Sequence, residues 1–482
     1  MCRFAKPGAR DGPDRVGAAF GSFAAVTVEE ALATAGRRLL DPAAPALERC
    51  VAAEDPKSAV RVFVAARHDV VSGVLCEEAV FSLRHYDDLL EQVLPGTRYL
   101  VGENDAARQV RLRQLHTAQG WLDAERSMAA TQGEPNMAPG FRAWVAAMAR
   151  EEAAAILDVL QRRASTGEPV NFVRDYAFLI AWRMARRIIG VPAPDAVPGL
   201  VRLMVFARNV MHPGPALRLK DELGDAAAML LMQQALFGHV FGTVVNSKGW
   251  MRWLARKTAT PALDAIDAAL ALPEVAPHDS LVSALAAVKP QFSEVPDYDL
   301  QARSVLFELT GALVLIVGKS LSEMAAFACS PEGARAGIGW DRLVSLLADP
   351  GASQQAHDAT INEALRLTGG SRLTRTVRNN SPWRGVDLQA GDRVVVLIDA
   401  ASRDPAAFPD PGRFAPDPAR PYITSGPLQG PHLCYGRGIA WTILREAIAA
   451  TQGRIAPVGN AQMALFAGLP DDLPFIASRR QI

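Results

Sequence analysis

The sequence predicts a mainly α-helical protein with small β-sheets. Two alanine-rich stretches, residues 141–163 and 221–238, have apolar residues at helical spacing and no interior proline, which is typical of long helices. Residues 60–66 (VRVFVAA) indicate a strand that is followed by a helix over residues 68–75. A second strand is expected at residues 394–397, directly after a turn-forming Ala-Gly-Asp. The sheets therefore lie near residue 60 and within 372–400.

The domain organisation follows from length and from what the chain lacks. Its 482 residues are long for one ordinary domain. However, no internal repeat or low-complexity linker divides the sequence. We therefore expect a single domain over residues 1–482, with residues 1–25 as a loosely ordered N-terminal segment.

Charge, hydropathy and cysteine spacing exclude several classes of function. Fifty-one basic residues balance fifty-one acidic ones, so no overall field attracts nucleic acid or an anionic membrane. The N-terminus has no apolar stretch of signal or anchor length, and the most apolar run, residues 309–317, is too short to cross a bilayer. We expect a cytoplasmic protein with no membrane anchor and no nucleic-acid partner. The five cysteines are scattered without a CxxC pair, which argues against a disulfide framework and a zinc site.

The most informative segment is residues 426–438, GPLQGPHLCYGRG, which precedes a helical run. It presents Cys434 at the start of a helix, where the dipole and the free amide groups stabilise a thiolate. Gly430 and Gly436 would let the backbone approach the sulfur and a bound metal closely. His432 is placed to meet an anionic group of the same cofactor. Taken alone, the segment could equally be a buried cysteine in a glycine-rich turn.

Two further segments point to the same site. Glu363 and Arg366 lie three residues apart on one face of a predicted helix. A proline-broken loop downstream, residues 402–416, offers Arg413 as a second guanidinium for Glu363.

Together these segments resemble the cytochrome P450 family. The ExxR helix (Glu363, Arg366), the Pro-x-Arg-Phe loop (residues 411–414) and the cysteine loop occur in the family's order. Residues 62–75 and 170–192 also resemble family segments. The resemblance implies the cytochrome P450 fold, haem b as cofactor and Cys434 as the axial iron ligand. It also implies that Glu363, Arg366 and Arg413 form a structural triad beneath the haem.

The resemblance further implies which residues bind the haem propionates. These carboxylates need cationic partners, preferably arginines. Position relative to the family's motifs selects Arg375, Arg113 and His432. Each has an alternative interpretation, as a solvated arginine or as a histidine whose hydrogen bonds are satisfied within the protein.

The chain departs from the family at three places. Pro427 stands where the cysteine loop usually begins with Phe, and Gln109 stands where bacterial members often carry His. The third departure concerns the long helix expected over the haem. There the usual acid–threonine pair aligns with Val314 and Leu315, next to Gly311 and Ala312.

The missing acid–threonine pair matters because splitting dioxygen requires protons at its distal oxygen. A shifted alignment, over residues 318–321, does not restore a carboxylate beside a threonine. Four residues of this helix are possible substitutes, although each could simply pack or face solvent: Glu308, Thr310, Ser320 and Ser322.

The leading functional hypothesis is a haem-thiolate monooxygenase of secondary metabolism that acts on a small or medium apolar molecule. Its electrons would come from a separate ferredoxin-type partner docking near Arg437 and Arg445. The alternatives are a reductase-independent hydroperoxide isomerase, dehydratase or peroxygenase, and a non-catalytic haem protein that binds a small ligand. The expected recognition segments are the loop after residue 80 and residues 200–255. Their apolar side chains could line a pocket or simply form core: Tyr86, Met204, Phe206, Met211, Phe237, Phe241, Trp250 and Trp253.

Overall fold

The computed structural model describes residues 23–125, 139–165, 170–193, 197–211, 222–368, 372–424, 432–459, 462–466 and 469–477. Helices dominate these ranges, as the sequence predicts. The N-terminal segment 1–25 falls mostly outside the described residues. Its last three residues already belong to the first helix, Phe23–Leu39, so the expected boundary lies slightly too far along the chain.

The helices of the first half surround the predicted recognition segments. They are α1 (Phe23–Leu39), α2 (His68–Cys76), α3 (Arg84–Glu91), α4 (Ala106–Glu125), α5 (Pro139–Ser165), α6 (Phe178–Ile189), α7 (Gly199–Met211), α8 (Glu222–Val240), α9 (Gly249–Ala271) and α10 (Leu281–Val288). The predicted helices at 68–75 and 141–163 correspond to α2 and α5. The stretch 221–238 corresponds to α8, apart from residue 221, which is outside the described residues.

The helices of the second half contain the candidate site. They are α11 (Tyr298–Ala312), α12 (Gly318–Cys329), α13 (Pro331–Ala336), α14 (Trp340–Ala348), α15 (Gln354–Thr368), α16 (Ile398–Ala401) and α17 (Arg437–Ala449). A π-helical stretch, Leu313–Val317, joins α11 to α12. The result is one continuous helix from Tyr298 to Cys329.

The strands form four small sheets in the described residues. They are β1 (Glu48–Arg49), β2 (Val62–Ala65), β3 (Phe81–Ser82), β4 (Val170–Asn171), β5 (Arg372–Val377), β6 (Ser381–Trp383), β7 (Val386–Leu388), β8 (Arg393–Leu397), β9 (Ile455–Pro457), β10 (Ala464–Phe466), β11 (Leu469–Asp472) and β12 (Pro474–Ala477). The largest sheet has the order β1-β2-β8-β5-β3, and both predicted strands, β2 and β8, lie side by side in it.

The register of this sheet positions one candidate site residue. β2 and β8 pair in parallel, and β5 pairs antiparallel with β8, so that Arg375 lies opposite Val394. Val394 to Val396 are all buried. A continuous β-branched run of this kind is typical of a strand that is covered on both faces of its sheet. Arg375 is therefore held on a central strand rather than on a mobile loop.

The continuous helix from Tyr298 to Cys329 lies in the main core. By length and composition it is the one candidate membrane span in the described part of the chain, but 72% of its most apolar stretch is buried by other parts of the protein. A helix that is apolar on all sides is expected wherever neighbours cover every face. It packs against the π-helical turn Phe172–Ala177, α6, α8, α15 and α17.

One glycine shows how closely these helices pack. α6 ends at Gly190, which has a φ of 88°, a left-handed conformation that favours glycine at a helix end. A Cβ atom there would lie 2.4 Å from the Ser280 hydroxyl oxygen, so a larger residue would push α6 away from α10. The glycine at this helix end therefore has both a conformational and a packing reason.

Candidate haem site

Cys434 lies just before α17, in the position that the sequence predicts. The amide groups of Gly436 and Arg437 donate hydrogen bonds to its sulfur, and burial raises the pKa of the thiol while these two bonds lower it. A Cβ atom on Gly436 would meet no described protein atom within 4 Å. The sulfur is thus held by backbone donors, as a metal thiolate requires. Pro427 and Gly430 fall in 425–431, outside the described residues.

Several cationic groups converge near this loop. Arg108 of α4 and Arg375 of β5 are 1% and 2% exposed. Arg108 Nε donates to the Leu100 carbonyl at 2.5 Å, and Arg375 Nη1 donates to the Thr374 carbonyl at 3.2 Å. Burial first, and then the charges of Arg108, Arg375 and Arg378, lower the pKa of His432 to about 3. His432 and these arginines are therefore near neighbours.

The composition of this cluster fits a bound dianion. Buried like charges repel one another unless an anion lies among them. Within the described residues, the balancing carboxylates are Glu103, paired with Arg378, and Glu78, whose Oε1 lies beside His432 Nε2. His432 Nδ1 is buried without a hydrogen-bond partner in the part of the chain that is described. Two haem propionates would bring negative charge to this cluster and accept hydrogen bonds from it.

Arg113 was expected in this cluster but is not part of it. Its side chain is 59% exposed, and Nη2 lies 3.5 Å from Glu294. The guanidinium also covers the ring of Phe292. Because each helical residue turns by about 100°, position 113 points well away from position 108. The structure therefore places Arg108 rather than Arg113 in the cluster, and the propionate role of Arg113 stays a prediction.

The sequence contains a pattern that indicates the burial of Arg108. Leu112 and Leu115 follow it at spacings of four and seven residues, and both are buried. Residues at these spacings share one helical face. Arg108 thus lies on the inward face of α4, which the helical period alone could have shown.

The predicted structural triad is present with one change. Arg366 donates to both oxygens of Glu363 at 2.9 Å, and both side chains are fully buried. The third guanidinium is Arg420, whose Nη1 lies 3.1 Å from Glu363 Oε1. Arg413, expected in that role, is exposed at its side chain and contributes its carbonyl oxygen to Arg366 at 3.1 Å. The backbone of this loop turns near residue 417. The turn brings the side chain of Arg420, rather than that of Arg413, to the Glu363 carboxylate.

The distal helix has the apolar character that the sequence predicts. Val314 and Leu315 are buried. The hydroxyls of Thr310 and Ser322 donate to carbonyls one turn earlier, at 2.7 and 2.8 Å, so these two possible substitutes are engaged within their own helix. A Cβ atom on Gly311 would lie 2.6 Å from the Gln233 carboxamide oxygen. The placement of Gly311, Ala312, Val314 and Leu315 over a haem stays a prediction.

The predicted recognition residues divide into two groups. Tyr86, Phe237 and Phe241 meet in an aromatic cluster that also contains Tyr99 and Phe307, with ring centroids 4.8 to 6.3 Å apart. The sequence interpretation did not include Tyr99 and Phe307. Phe206, Trp250 and Trp253 are instead exposed, and Met204 is half-buried. The side chain of Met211 is outside the described residues.

Comparisons with known proteins show which proteins the chain resembles. The family model named Cytochrome P450 matches residues 356–449. Cytochrome P450 105C1 of a Streptomyces species is 25% identical over 59% of the chain and 60% of its own length. A bifunctional dioxygenase–epoxy alcohol synthase of Fusarium oxysporum is 38% identical over 18% of the chain and 7% of its own length. The matches to these curated relatives thus span less than two thirds of the relatives.

Solved structures show the fold over nearly the whole chain. A myxobacterial cytochrome P450, CYP267B1, in complex with myristic acid superposes with a TM-score of 0.63 at 18% identity, covering 94% of the chain and 98% of that structure. The fold is therefore that of the cytochrome P450 structures, and the segment at residues 356–449 matches the family model. Members of that family bind haem b as their cofactor.

Proposed function

We propose that the chain is a cytoplasmic haem-thiolate monooxygenase that oxidises a small or medium apolar molecule. The observation that carries the proposal is the Cys434 sulfur, half-buried at a helix start under two amide donors and near the cationic side chains of Arg108 and Arg375. Haem held there would supply the oxidising chemistry, with Cys434 as iron ligand. The residues that hold its propionates are Arg108, Arg375 and His432.

The chain's own residues have three tasks in this proposal. The amides of Gly436 and Arg437 limit the electron donation of the sulfur to the iron. The Glu363–Arg366 pair fixes α15 against the loop at 402–415, because Arg366 also donates to the carbonyls of Ser402 and Pro411. The aromatic cluster excludes water and offers apolar contacts to the substrate.

The electron donor is proposed to be a ferredoxin-type protein. Arg437 and Arg445 follow the cysteine loop on α17, and both are partly exposed. Arg445 Nη1 lies 3.5 Å from Gln354 and 3.8 Å from Glu446. A small acidic protein would meet these guanidinium groups close to the sulfur.

The ferrous–CO spectrum tests the haem-thiolate assignment. We expect the purified wild-type protein to bind haem and to show the red-shifted Soret band of a thiolate-ligated iron. Cys434→Ser should abolish that band, whereas Cys329→Ser, a half-buried cysteine of α12, should retain it. A thiolate-type band that survives Cys434→Ser would refute the assignment.

A second candidate is a hydroperoxide isomerase, dehydratase or peroxygenase that needs no reductase. It is favoured by the buried Val314 and Leu315 in place of the acid–threonine pair. The similarity of part of the chain to the Fusarium dioxygenase–epoxy alcohol synthase also supports it.

The two candidates separate in one assay. An unsaturated fatty-acid hydroperoxide is added anaerobically to the ferric protein without reductant. Fast conversion to an isomerised or dehydrated product would support the second candidate. An inert ferric protein that hydroxylates a bound substrate only with reductant, ferredoxin and dioxygen would support the monooxygenase.

A further inference from the structure

Glu308 lies on the face of the central helix that is predicted to cover the haem. It precedes Gly311, Ala312 and Leu315 by three, four and seven residues, and such spacings share one helical face. Glu308 and Ala312 are partly accessible, although most residues around them are buried. Glu308 therefore lies on the helix face that also carries Gly311 and Ala312.

Two elements face this carboxyl group, the segment at residues 100–101 and α4. The amides of Leu100 and Val101 donate to it, and the guanidinium groups of Arg108 and Arg111 lie near it. Burial outweighs the opposing effect of these amides and arginines and raises the pKa of Glu308 to about 7. An acid of this kind can hold and release a proton near neutral pH.

Tyr99 adds a hydroxyl to the same place. The residue is 1% exposed, and its ring stacks on Phe307 at 6.3 Å and on Phe241 at 6.0 Å. Burial and then the charge of Glu308 raise the pKa of its phenol. Within the described residues, the hydroxyl has no hydrogen-bond partner. A buried donor without a partner costs about 1–3 kcal/mol, which a ligand or an ordered water would offset.

A purely structural role for Glu308 explains only part of these contacts. Accepting the Leu100 and Val101 amides anchors the segment before α4 to the central helix. Anchoring does not account for a phenol hydroxyl left without a partner beside the carboxyl group. It also does not account for placing the carboxyl group on the face shared with Leu315, where the family's threonine stands.

We propose that Glu308 and Tyr99 form the acid–hydroxyl pair of the distal pocket, in place of the pair missing at Val314 and Leu315. The inference rests on the proposed haem-thiolate function. The tyrosine hydroxyl orders the water that connects the carboxyl group to the oxidant. The segment at residues 99–101 thus contributes Tyr99 to the proton relay. In the family, the acid and the hydroxyl of this relay both lie on the central helix.

The step is a proton transfer and exchanges no electrons with the side chains. The O–H bond of the Glu308 acid breaks, and a new O–H bond forms on the outer oxygen of the O–O bond of the oxidant. With dioxygen as oxidant, the transfer occurs twice, solvent supplies both protons through Glu308, and the ferredoxin-type donor supplies two electrons. The O–O bond breaks, the outer oxygen leaves as water, and the other oxygen atom goes to the substrate. A hydroperoxide needs no added electrons: its outer oxygen takes one proton and leaves as the alcohol, and its own proton restores the Glu308 acid.

The test compares Glu308→Gln and Tyr99→Phe with the control Glu323→Gln. Glu323 is another glutamate of the same continuous helix whose pKa burial raises, but it faces Lys319. Haem content and the ferrous–CO Soret band are measured first, and their absence in the wild type would refute the proposed function itself. The infrared C–O stretching band of the CO adduct then reports hydrogen-bond donors near the ligand. Product formed per electron or hydroperoxide consumed reports proton delivery.

We expect Glu308→Gln and Tyr99→Phe to shift the C–O band, and Glu308→Gln to lower product formation by roughly 10²-fold, the usual size of a general-acid effect. Glu323→Gln should change neither quantity. A normal C–O band and normal product formation in Glu308→Gln would overturn the proposal. If that variant loses haem, Tyr99→Phe, which keeps the Leu100 anchor, decides the question by the same two measurements.

Discussion

At the scale of single residues, burial determines which charged groups belong to the site. Arg108 and Arg113 are separated by five positions on one helix, yet only Arg108 is buried beside Arg375 and His432. A buried guanidinium of this cationic cluster can give a charge-assisted hydrogen bond to a bound carboxylate, whereas the exposed guanidinium of Arg113, paired with Glu294, contributes little. The haem propionates should therefore depend on Arg108.

Haem affinity tests this difference. We expect Arg108→Ala to weaken haem binding by roughly tenfold or more, since it removes a charge-assisted hydrogen bond of about 1.5–3 kcal/mol. Arg113→Ala, the matched variant on the same helix, should leave haem binding unchanged. Haem transfer to apomyoglobin measures both. Equal loss in the two variants would return Arg113 to the site.

A second residue-scale prediction concerns acid stability. His85 is buried, and its Nε2 lies 2.7 Å from the Thr243 carbonyl oxygen. Burial lowers its pKa from 6.5 to about 4. Between these two pH values the unfolded chain binds more protons than the folded one, so this residue makes stability fall as the pH drops from 6.5 toward 4.

Urea unfolding at pH 7 and pH 5 measures that contribution. His85→Gln should lose less stability between the two pH values than the wild type does. His278→Gln changes an exposed histidine and should behave like the wild type. An identical pH dependence in His85→Gln and the wild type would contradict the stated role of burial.

At the scale of elements, buried ion pairs join helices to loops. The Glu363–Arg366 pair holds α15 to the loop that carries Ser402, Pro411 and Arg413. Glu363 Oε1 also accepts from the Ala415 amide at 3.0 Å. Besides the bonds from Arg366 of its own helix, this carboxylate therefore binds Ala415 and Arg420, in the segment that precedes the cysteine loop. The pair positions that loop and does not take part in the chemistry.

The exchange of Arg413 for Arg420 is testable at this scale. Arg420→Ala removes a guanidinium that is 21% exposed from a fully buried carboxylate, and we expect a loss of roughly 1–2 kcal/mol after allowance for solvent screening. Arg413→Ala should change the unfolding free energy by less than about 0.5 kcal/mol. Urea titrations of both variants provide the measurement. The reverse order would restore Arg413 to the triad.

At the scale of the whole molecule, segments far apart in sequence meet at Asp471. This carboxylate is fully buried in β11 and accepts from Arg174 Nη2 at 2.6 Å. Arg208 of α7 pairs with its other oxygen. One aspartate near the C-terminus therefore joins the π-helical turn at 172–177, a helix of the predicted recognition region and the β10–β11 hairpin.

Removing this charge should affect global stability. Asp471→Asn leaves two buried guanidinium groups without their carboxylate, which we expect to cost about 3–5 kcal/mol. Asp387→Asn, at an exposed position of β7, serves as the control and should be neutral. Thermal and urea unfolding would show the difference. A wild-type midpoint for Asp471→Asn would mean that water or other donors already compensate these charges.

The sequence by itself determined the helical fold, the two strands of the main sheet, Cys434 and the Glu363–Arg366 pair. These features depend on local spacing and on short motifs, and local spacing is visible in a linear chain. It also showed that Val314 and Leu315 leave the distal helix without an acid beside a threonine.

Only the tertiary structure decided between Arg108 and Arg113, and between Arg420 and Arg413. In each case the chemically equivalent side chains are close in sequence, and burial against distant segments determines which one is used. The same holds for Glu308 and Tyr99. Their proximity arises because the segment at residues 97–101 packs between α4 and the central helix, about two hundred residues away in sequence. Long-range packing of this kind has no local signature in the sequence.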